Sequence, residues 1–331
     1  MSAQPARRDA AVERRVFPDE FPDGLKPRLR LFLSVDLVGS TPYKQSRQIW
    51  RPEILSFYRN FDHTLQTRYR AFSEGRHDLG AAPEFWKSNG DELLYTCELA
   101  SLSHAHAVMH VWLGALDDYR AMNDEISKHL DVKSTAWIAL FPVPNAEVFF
   151  LRGASDYGSH GVDDALLVQS LLRDEWYANR PNTQIVRDFV GPSIDTGFRL
   201  TSWASPRRLI VSVDLAFLLT GSYAKALAPL RLHLSGRDTL KGIIGNQPYP
   251  TIWIPVGGRP ALDPDDRLLG HISTDRATIR SHCEAIIEQN YKSITPLCLA
   301  GARHEDYDWV PPYILDRILS LWEDEVRYRA D

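Results

Sequence analysis

The sequence predicts an α+β fold, and three observations carry that prediction. The run RLRLFLSVDLV from Arg28 has the pattern of a buried strand, PEFWKSNGDELLYTCEL carries the strongest short hairpin signal a sequence offers, and long amphipathic segments separate these and later strands. With 331 residues, 44% hydrophobic and 24% charged, the chain is ordinary for a globular protein with one large core or two modest ones.

Each element follows in order. Met1 to about Lys26 is rich in Pro, Asp and Arg without an apolar period, so residues 1–27 read as a polar tail. After the first strand, GSTP predicts a turn into a helix with Thr41 as N-cap and Pro42 at N1. Trp50, Ile54, Phe57, Phe61 and Leu65 then recur at helical spacing. A polar stretch from Ser73 to Pro83 leads to the hairpin, whose Asn89-Gly90 turn sets Asp91 beside it at the surface. Ala105 to about His129 predicts a long helix and Ser134 to Phe141 a strand. Val143 to Pro181 departs from simple alternation and holds a helical stretch at Asp163 to Tyr177. FVGPSIDTGFRLTSWA reads as loop into helix, LIVSVDLAFLL as strand into helix, and LRLHLSGRDTLKGIIGNQPYPTIWIPV as strand, turn and strand ending near Val256. Gly257 to Pro260 reads as a linker before helical patterns at Ala277 to Tyr291 and Pro312 to Tyr328. The domain reading is a tail at 1–27, a main domain with insertions at 28–256, and a helical C-terminal extension at 257–331.

Charge and composition exclude several classes of function. The formal charge of -5, with Lys and Arg scattered among Asp and Glu, gives no basic stripe for a nucleic-acid backbone. Cys97, Cys283 and Cys298 are odd in number and lack CxxC spacing, which suggests reduced thiols rather than a disulfide framework or zinc site. The Arg-rich N-terminus lacks the apolar core of a signal peptide, and no segment approaches the roughly 20 apolar residues of a membrane helix. A cytoplasmic protein with no membrane partner is expected. His104, His106 and His110 share one predicted helix, but without a third ligand nearby they read as ordinary helix residues.

Two acids stand where strands end: Asp36 in SVDLVGST and Asp91 in SNGDEL. Carboxylates suit hard Mg²⁺ or Mn²⁺, and such sites use one or two carboxylates together with substrate phosphates. Two acids on adjacent strands could hold a metal pair roughly 3.5–4 Å apart, the spacing of two-metal phosphoryl transfer. Taken singly, each Asp reads equally as a turn former or helix cap.

With DFVGPSIDTGFRL, and with VSVDLAFLL followed by GRDTLKGI, these segments resemble the class III adenylate and guanylate cyclase family. The resemblance spans about Arg28 to Val256, interrupted by Val143 to Pro181. It implies a ferredoxin-type αβ domain with a central, mostly antiparallel sheet. It also implies two divalent metal ions, Mn²⁺ or Mg²⁺, held by Asp36, Asp91 and the backbone at Leu37 and Val38. Active sites would form at a head-to-tail homodimer interface, with Asp36 and Asp91 from one chain and Lys87, Asp188, Asp195 and Arg199 from the other. In that scheme Arg199 stabilises the transition state, Asp195 holds a position usually occupied by Asn, and Lys241 binds phosphate. An exposed Arg199 on an amphipathic helix and a solvated Lys241 in a turn are the plain structural readings of the same residues.

Lys87 and Asp188 match the base-reading pair of adenylate-specific members, which favours ATP. Asp195, Tyr43 after the metal loop, and Trp86 beside Lys87 depart from that pattern. Either aromatic could narrow the pocket to a one-ring base or simply pack in the core. A lone catalytic domain with an insertion between Arg70 and Phe85 and a helical tail is similar to the stand-alone pyrimidine cyclases of bacterial antiphage defence (Pycsar). That similarity implies UTP or CTP as substrate, with UTP favoured, Tyr43 as a substrate-binding residue, and a cyclic product read by a separate effector protein. Three alternatives stay open: an adenylate cyclase, a catalytically silent nucleotide-binding module, and a relative of the diguanylate cyclases suggested by NGDEL alone.

Overall fold

The computed structural model describes residues 16–17, 20–76, 79–123, 129–153, 162–179, 184–221, 227–257, 272–291, 293–294, 297 and 310–330. Cys298 and the linker beyond Gly257 lie outside them. The strands are β1 (Arg28–Val38), β2 (Glu84–Asn89), β3 (Glu92–Glu98), β4 (Asp131–Phe141), β5 (Ala146–Leu151), β6 (Ile185–Val190), β7 (Arg208–Val211), β8 (His233–Thr239) and β9 (Pro248–Pro255). Seven form one sheet in the order β2-β3-β1-β4-β7-β9-β8, and β5 pairs with β6 separately. Every pairing is antiparallel except β4 with β7.

The helices are α1 (Ser40–Ser46), α2 (Arg51–Ser73), α3 (Leu102–Asn123), α4 (Val162–Ala178), α5 (Pro192–Leu200), α6 (Val213–Leu219), α7 (Arg276–Gln289) and α8 (Pro312–Ala330). With α2 and α3 as crossovers and spatial order β2-β3-β1-β4, the first half is the split βαββαβ arrangement of a ferredoxin-type core. The molecule is thus α+β with a mostly antiparallel sheet.

β1 reads as a continuous apolar run because the sheet is covered on both faces, and alternate residues enter different cores. Leu31, Leu33 and Val35 join Phe57, Phe61 and Leu65 of α2 and Trp112 of α3 in the main core. Phe32 turns the other way and packs with Leu94, Trp137, Ala139, Phe141, Phe189 and Ile194 in a second core beneath α5 and β6.

Several boundaries differ from expectation for local reasons. The helix after β1 begins at Ser40, with Gly39 as N-cap at φ 85°, a left-handed geometry that glycine adopts without strain and Thr41 would not. The hairpin turn is Gly90-Asp91, since Asn89 already pairs with Glu92. α3 starts at Leu102 and is described only to Asn123, and His129 lies in a turn. Two strands were not expected: β5 lies in the stretch without clear alternation, and β6 makes FV of FVGPSI part of a strand rather than a loop. The C-terminal helices add Ile279, Cys283, Ile286, Ile314 and Ile318 to the main core, and Phe21 and Leu25 of the expected tail are buried there too. No helix among the described residues is long and apolar enough to cross a membrane.

Candidate active site

Asp36 lies two residues before the end of β1 on the second-core face, and its register partners decide its surroundings. Opposite it stand Glu92 on β3 and Lys133 on β4. The Lys133 ammonium lies 3.2 Å from the Asp36 carboxylate, with both side chains about a quarter exposed (28% and 27%). Burial pushes the Asp36 carboxyl above its ordinary range, and Asp91 nearby adds to this, while the hydrogen bond from Lys133 opposes it.

Asp91 reaches the same place from the hairpin turn. Its carbonyl accepts from the Leu37 N–H at 3.3 Å, its carboxylate accepts from the Ser40 hydroxyl, and the Lys44 ammonium lies 3.7 Å away. Both acids line a pocket of about 440 Å³ with Leu37, Gly39, Ser40, Lys133 and Ser205. Arg120 of α3 supports its rear wall by donating to the carbonyls of Val132 at 2.7 Å and Pro206 at 2.6 Å.

Among the described residues no three His, Cys, Asp or Glu side chains converge as a ready-made metal cage. The donor set of two carboxylates beside an open pocket is one that suits Mg²⁺ or Mn²⁺ with substrate phosphates completing the shell. Glu92, also on this face, is 8% exposed with Oε1 lacking a hydrogen-bond partner, and burial raises its carboxyl.

A second cluster joins Lys87 and Asp188. β2 carries a bulge at Trp86: Phe85 stands opposite Tyr95 and Lys87 opposite Leu94, leaving Trp86 as the extra residue. Strict alternation would send Trp86 and Lys87 to opposite faces; the bulge turns both toward Asp188. The Lys87 ammonium donates to the Asp188 carboxylate at 2.8 and 3.1 Å, and the Trp86 indole N–H donates to the same Oδ1 at 2.9 Å. Lys87 also lies 4.2 Å from the Trp86 ring, and Trp86 packs on Phe32, Phe189 and Phe198.

The remaining candidates scatter. α5 buries Ile194, Gly197 and Leu200 and exposes Asp195 and Arg199, which lie i, i+4 on its outer side. Gly197 lets α5 close on the Trp137 indole, where any Cβ would collide with the ring. Tyr43 is 6% exposed and belongs to the main core, so its ring is not part of the pocket lining. Lys241 is exposed in the turn after β8. Lys87, Asp188, Asp195 and Arg199 do not line the acid pocket. Lys133 was missed by sequence reading, because a lysine near a strand's start looks merely solvated and only the β1–β4 register brings it to Asp36.

The histidines are structural. His104 Nδ1 accepts from the Ala100 N–H at 3.2 Å, which leaves Nε2 to donate to the Ala81 carbonyl at 3.1 Å. Burial lowers both His104 and His106 to about 4.

No family model matches the sequence, and no curated protein sequence matches it. Among solved structures the chain is similar to the adenylyl cyclase CyaB from P. aeruginosa, with 12% identity and a TM-score of 0.46, covering 72% of this chain and 98% of that one. It is also similar to the guanylate cyclase domain of RhGC from Catenaria anguillulae in complex with GTP, with 12% identity and a TM-score of 0.44, covering 69% of this chain and 96% of that one. With TM-scores below 0.5, these likenesses assign no role to any residue here.

Proposed function

We propose that this chain is a nucleotidyl cyclase that closes a nucleoside triphosphate into its 3′,5′-cyclic monophosphate and releases pyrophosphate. The observation that carries this reading is that Asp36 and Asp91, from two different strand ends, line one open pocket together with Lys133. Two divalent cations bound there, Mn²⁺ or Mg²⁺, would acidify the ribose 3′-hydroxyl and neutralise charge on the α-phosphate.

The protein's own task is then placement and charge compensation. Asp36 and Asp91 would hold the cations, and Lys133, which lies 3.2 Å from Asp36, would supply a donor for a phosphate oxygen. Lys87 offers a donor beside the acceptor Asp188, complementary to a base edge with an acceptor next to an N–H. All four bases present such an edge, uracil with O4 and N3–H, so the pair orients a base without choosing among them. Trp86 walls that position with a bulky ring, which favours a one-ring base, UTP or CTP, and the resemblance to pyrimidine cyclases puts UTP first.

Asp195 and Arg199 are exposed on α5 and do not line the acid pocket of their own chain. This supports a homodimer in which a second copy brings Arg199 and the base-reading pair to the acid pocket. Lys241 is assigned to the triphosphate and Leu37 to the metal turn within the same scheme. A cyclic pyrimidine product would serve as a second messenger, read by a separate effector in antiphage defence.

The test is to incubate the purified protein with Mn²⁺ and ATP, GTP, CTP or UTP in turn and identify products by mass spectrometry. Cyclic UMP or cyclic CMP with pyrophosphate is expected. Cyclic AMP would transfer the substrate assignment to the adenylate reading, and tight nucleotide binding without pyrophosphate release would leave a silent binding module.

A further inference from the structure

Lys87 and Asp188 stand on different sheets, and β2 and β6 are not neighbours in either one. Their spacing is therefore set by side chains. Glu84, two residues before the bulge, accepts on Oε1 from Arg187 Nη2 at 2.6 Å and from Arg30 Nη2 at 2.8 Å. Arg187 directly precedes Asp188, and its other terminal nitrogen donates to Glu147 Oε1 of β5 at 3.2 Å. The Tyr177 hydroxyl of α4 fixes that carboxylate from the far side, donating to Oε2 at 2.6 Å.

The guanidinium groups and Glu147 of this network are buried, while Glu84 on β2 is 54% exposed. Arg187 and Glu147 are only 6% and 8% exposed, and Arg30 is 3% exposed. The Arg187 guanidinium lies 4.9 Å from the Phe189 ring and 5.1 Å from the Trp176 ring. Arg28, Arg30 and Arg187 face Glu84, Glu98 and Glu147, with exposed Asp23 3.9 Å from Arg28 at the edge. A planar guanidinium can address two carboxylates along fixed, divergent directions, whereas an ammonium is a point charge on a flexible stem. The link from Glu84 to Arg187 and the link from Lys87 and Trp86 to Asp188 thus run side by side between β2 and β6.

We propose that Arg187 is the positioning residue of the base-reading pair: by bridging Glu84 on β2 and Glu147 on β5, it fixes the spacing of Lys87, Trp86 and Asp188 and with it the discrimination among bases. This rests on the nucleotidyl cyclase reading above.

The test compares wild type with Arg187→Lys and with Glu147→Gln, the second variant keeping the buried shape while loosening one arm. In both, the ratio of kcat/KM for the preferred triphosphate to that for the next best falls roughly tenfold, through KM, with kcat for the preferred one kept within about twofold. The Trp86 indole N–H resonance, assigned with Trp86→Phe, shifts in both. A merely structural Arg187 would lower the unfolding midpoint yet leave the ratio and the resonance unchanged, and that result overturns the proposal. If wild type forms no cyclic product, the cyclase reading fails on its own evidence. The ratio is then taken from Kd values for the triphosphates in Ca²⁺: a lower ratio in Arg187→Lys supports the positioning role, while an unchanged ratio, or no binding at all, overturns it.

Discussion

On one face of the large sheet, Leu31, Leu33 and Val35 of β1 meet two long helices of 23 and 22 residues. On the other face, the alternate residues of that strand, Arg30, Phe32, Ser34 and Asp36, run from an ion network through stacked aromatics to the acid pocket, under a nine-residue α5. Along β1 the first face is apolar from end to end. The second has an apolar middle with charged ends, of which the Arg30 end is buried and the Asp36 end opens into the pocket. A strand's period of two lets one segment supply a scaffold and a site at once, so damage to either should be separable.

Breaking the site while sparing the scaffold gives the largest expected effect. Asp36→Ala or Asp91→Ala lowers cyclic product formation by roughly 10³-fold, the upper range for one positioned charge-stabilising group. Thermal unfolding stays close to wild type, because both side chains lie at the pocket rim; full activity in either variant would remove the metal assignment.

The converse is Phe61→Ala on the helix-covered face. Phe61 is fully buried against Tyr95, Trp112 and Tyr119, so its loss costs about 3–5 kcal/mol in urea unfolding. The order of preference among triphosphates stays the same in the folded fraction; a changed order would mean that the two faces are coupled.

The scaffold face also holds a buried acid. Asp214 is 5% exposed, accepts from the Ser212 hydroxyl and the Leu215 N–H, and lies near Tyr249 and Cys283; burial raises it to about 6. A folded value above the ordinary 3.8 means that the neutral form contributes stability below the carboxylate range, and this is lost as pH rises to about 6. Asp214→Asn should therefore be more stable than wild type at pH 7.5 by roughly 3 kcal/mol, converging with it near pH 4. Parallel stability curves would show that Asp214 stays charged in the fold.

The smallest effect sharpens the site itself. Lys133→Ala should raise KM for the triphosphate tenfold or somewhat more, as expected for one charge-assisted contact, with a lesser change in kcat. An unchanged KM in steady-state assays would confine Lys133 to holding Asp36 in the empty pocket.

The parts legible in the sequence were those with long or repeated signals. β1, α2 and the Gly90 hairpin announced themselves through apolar runs, helical spacing and turn chemistry, and Asp36 and Asp91 were found because they sit at the ends of such elements. β5 and β6 were not, since AEVFFL and IVRDFV are six-residue strands whose interiors carry Glu147, Arg187 and Asp188, and their burial comes from partners far away in sequence. Lys133 needed the β1–β4 register, and the bulge at Trp86 has no glycine to mark it. Tyr43 is buried in the main core, and its place beside the turn after β1 does not reveal which way α1 presents it.

That bulge also bears on how such a chain can change over generations. Trp86 is supernumerary in the ladder between β2 and β3, so replacing it, or even deleting it, leaves Phe85 opposite Tyr95 and Lys87 opposite Leu94. The wall beside Lys87 can therefore change shape at a single codon while the lysine and the strand pairing are inherited intact.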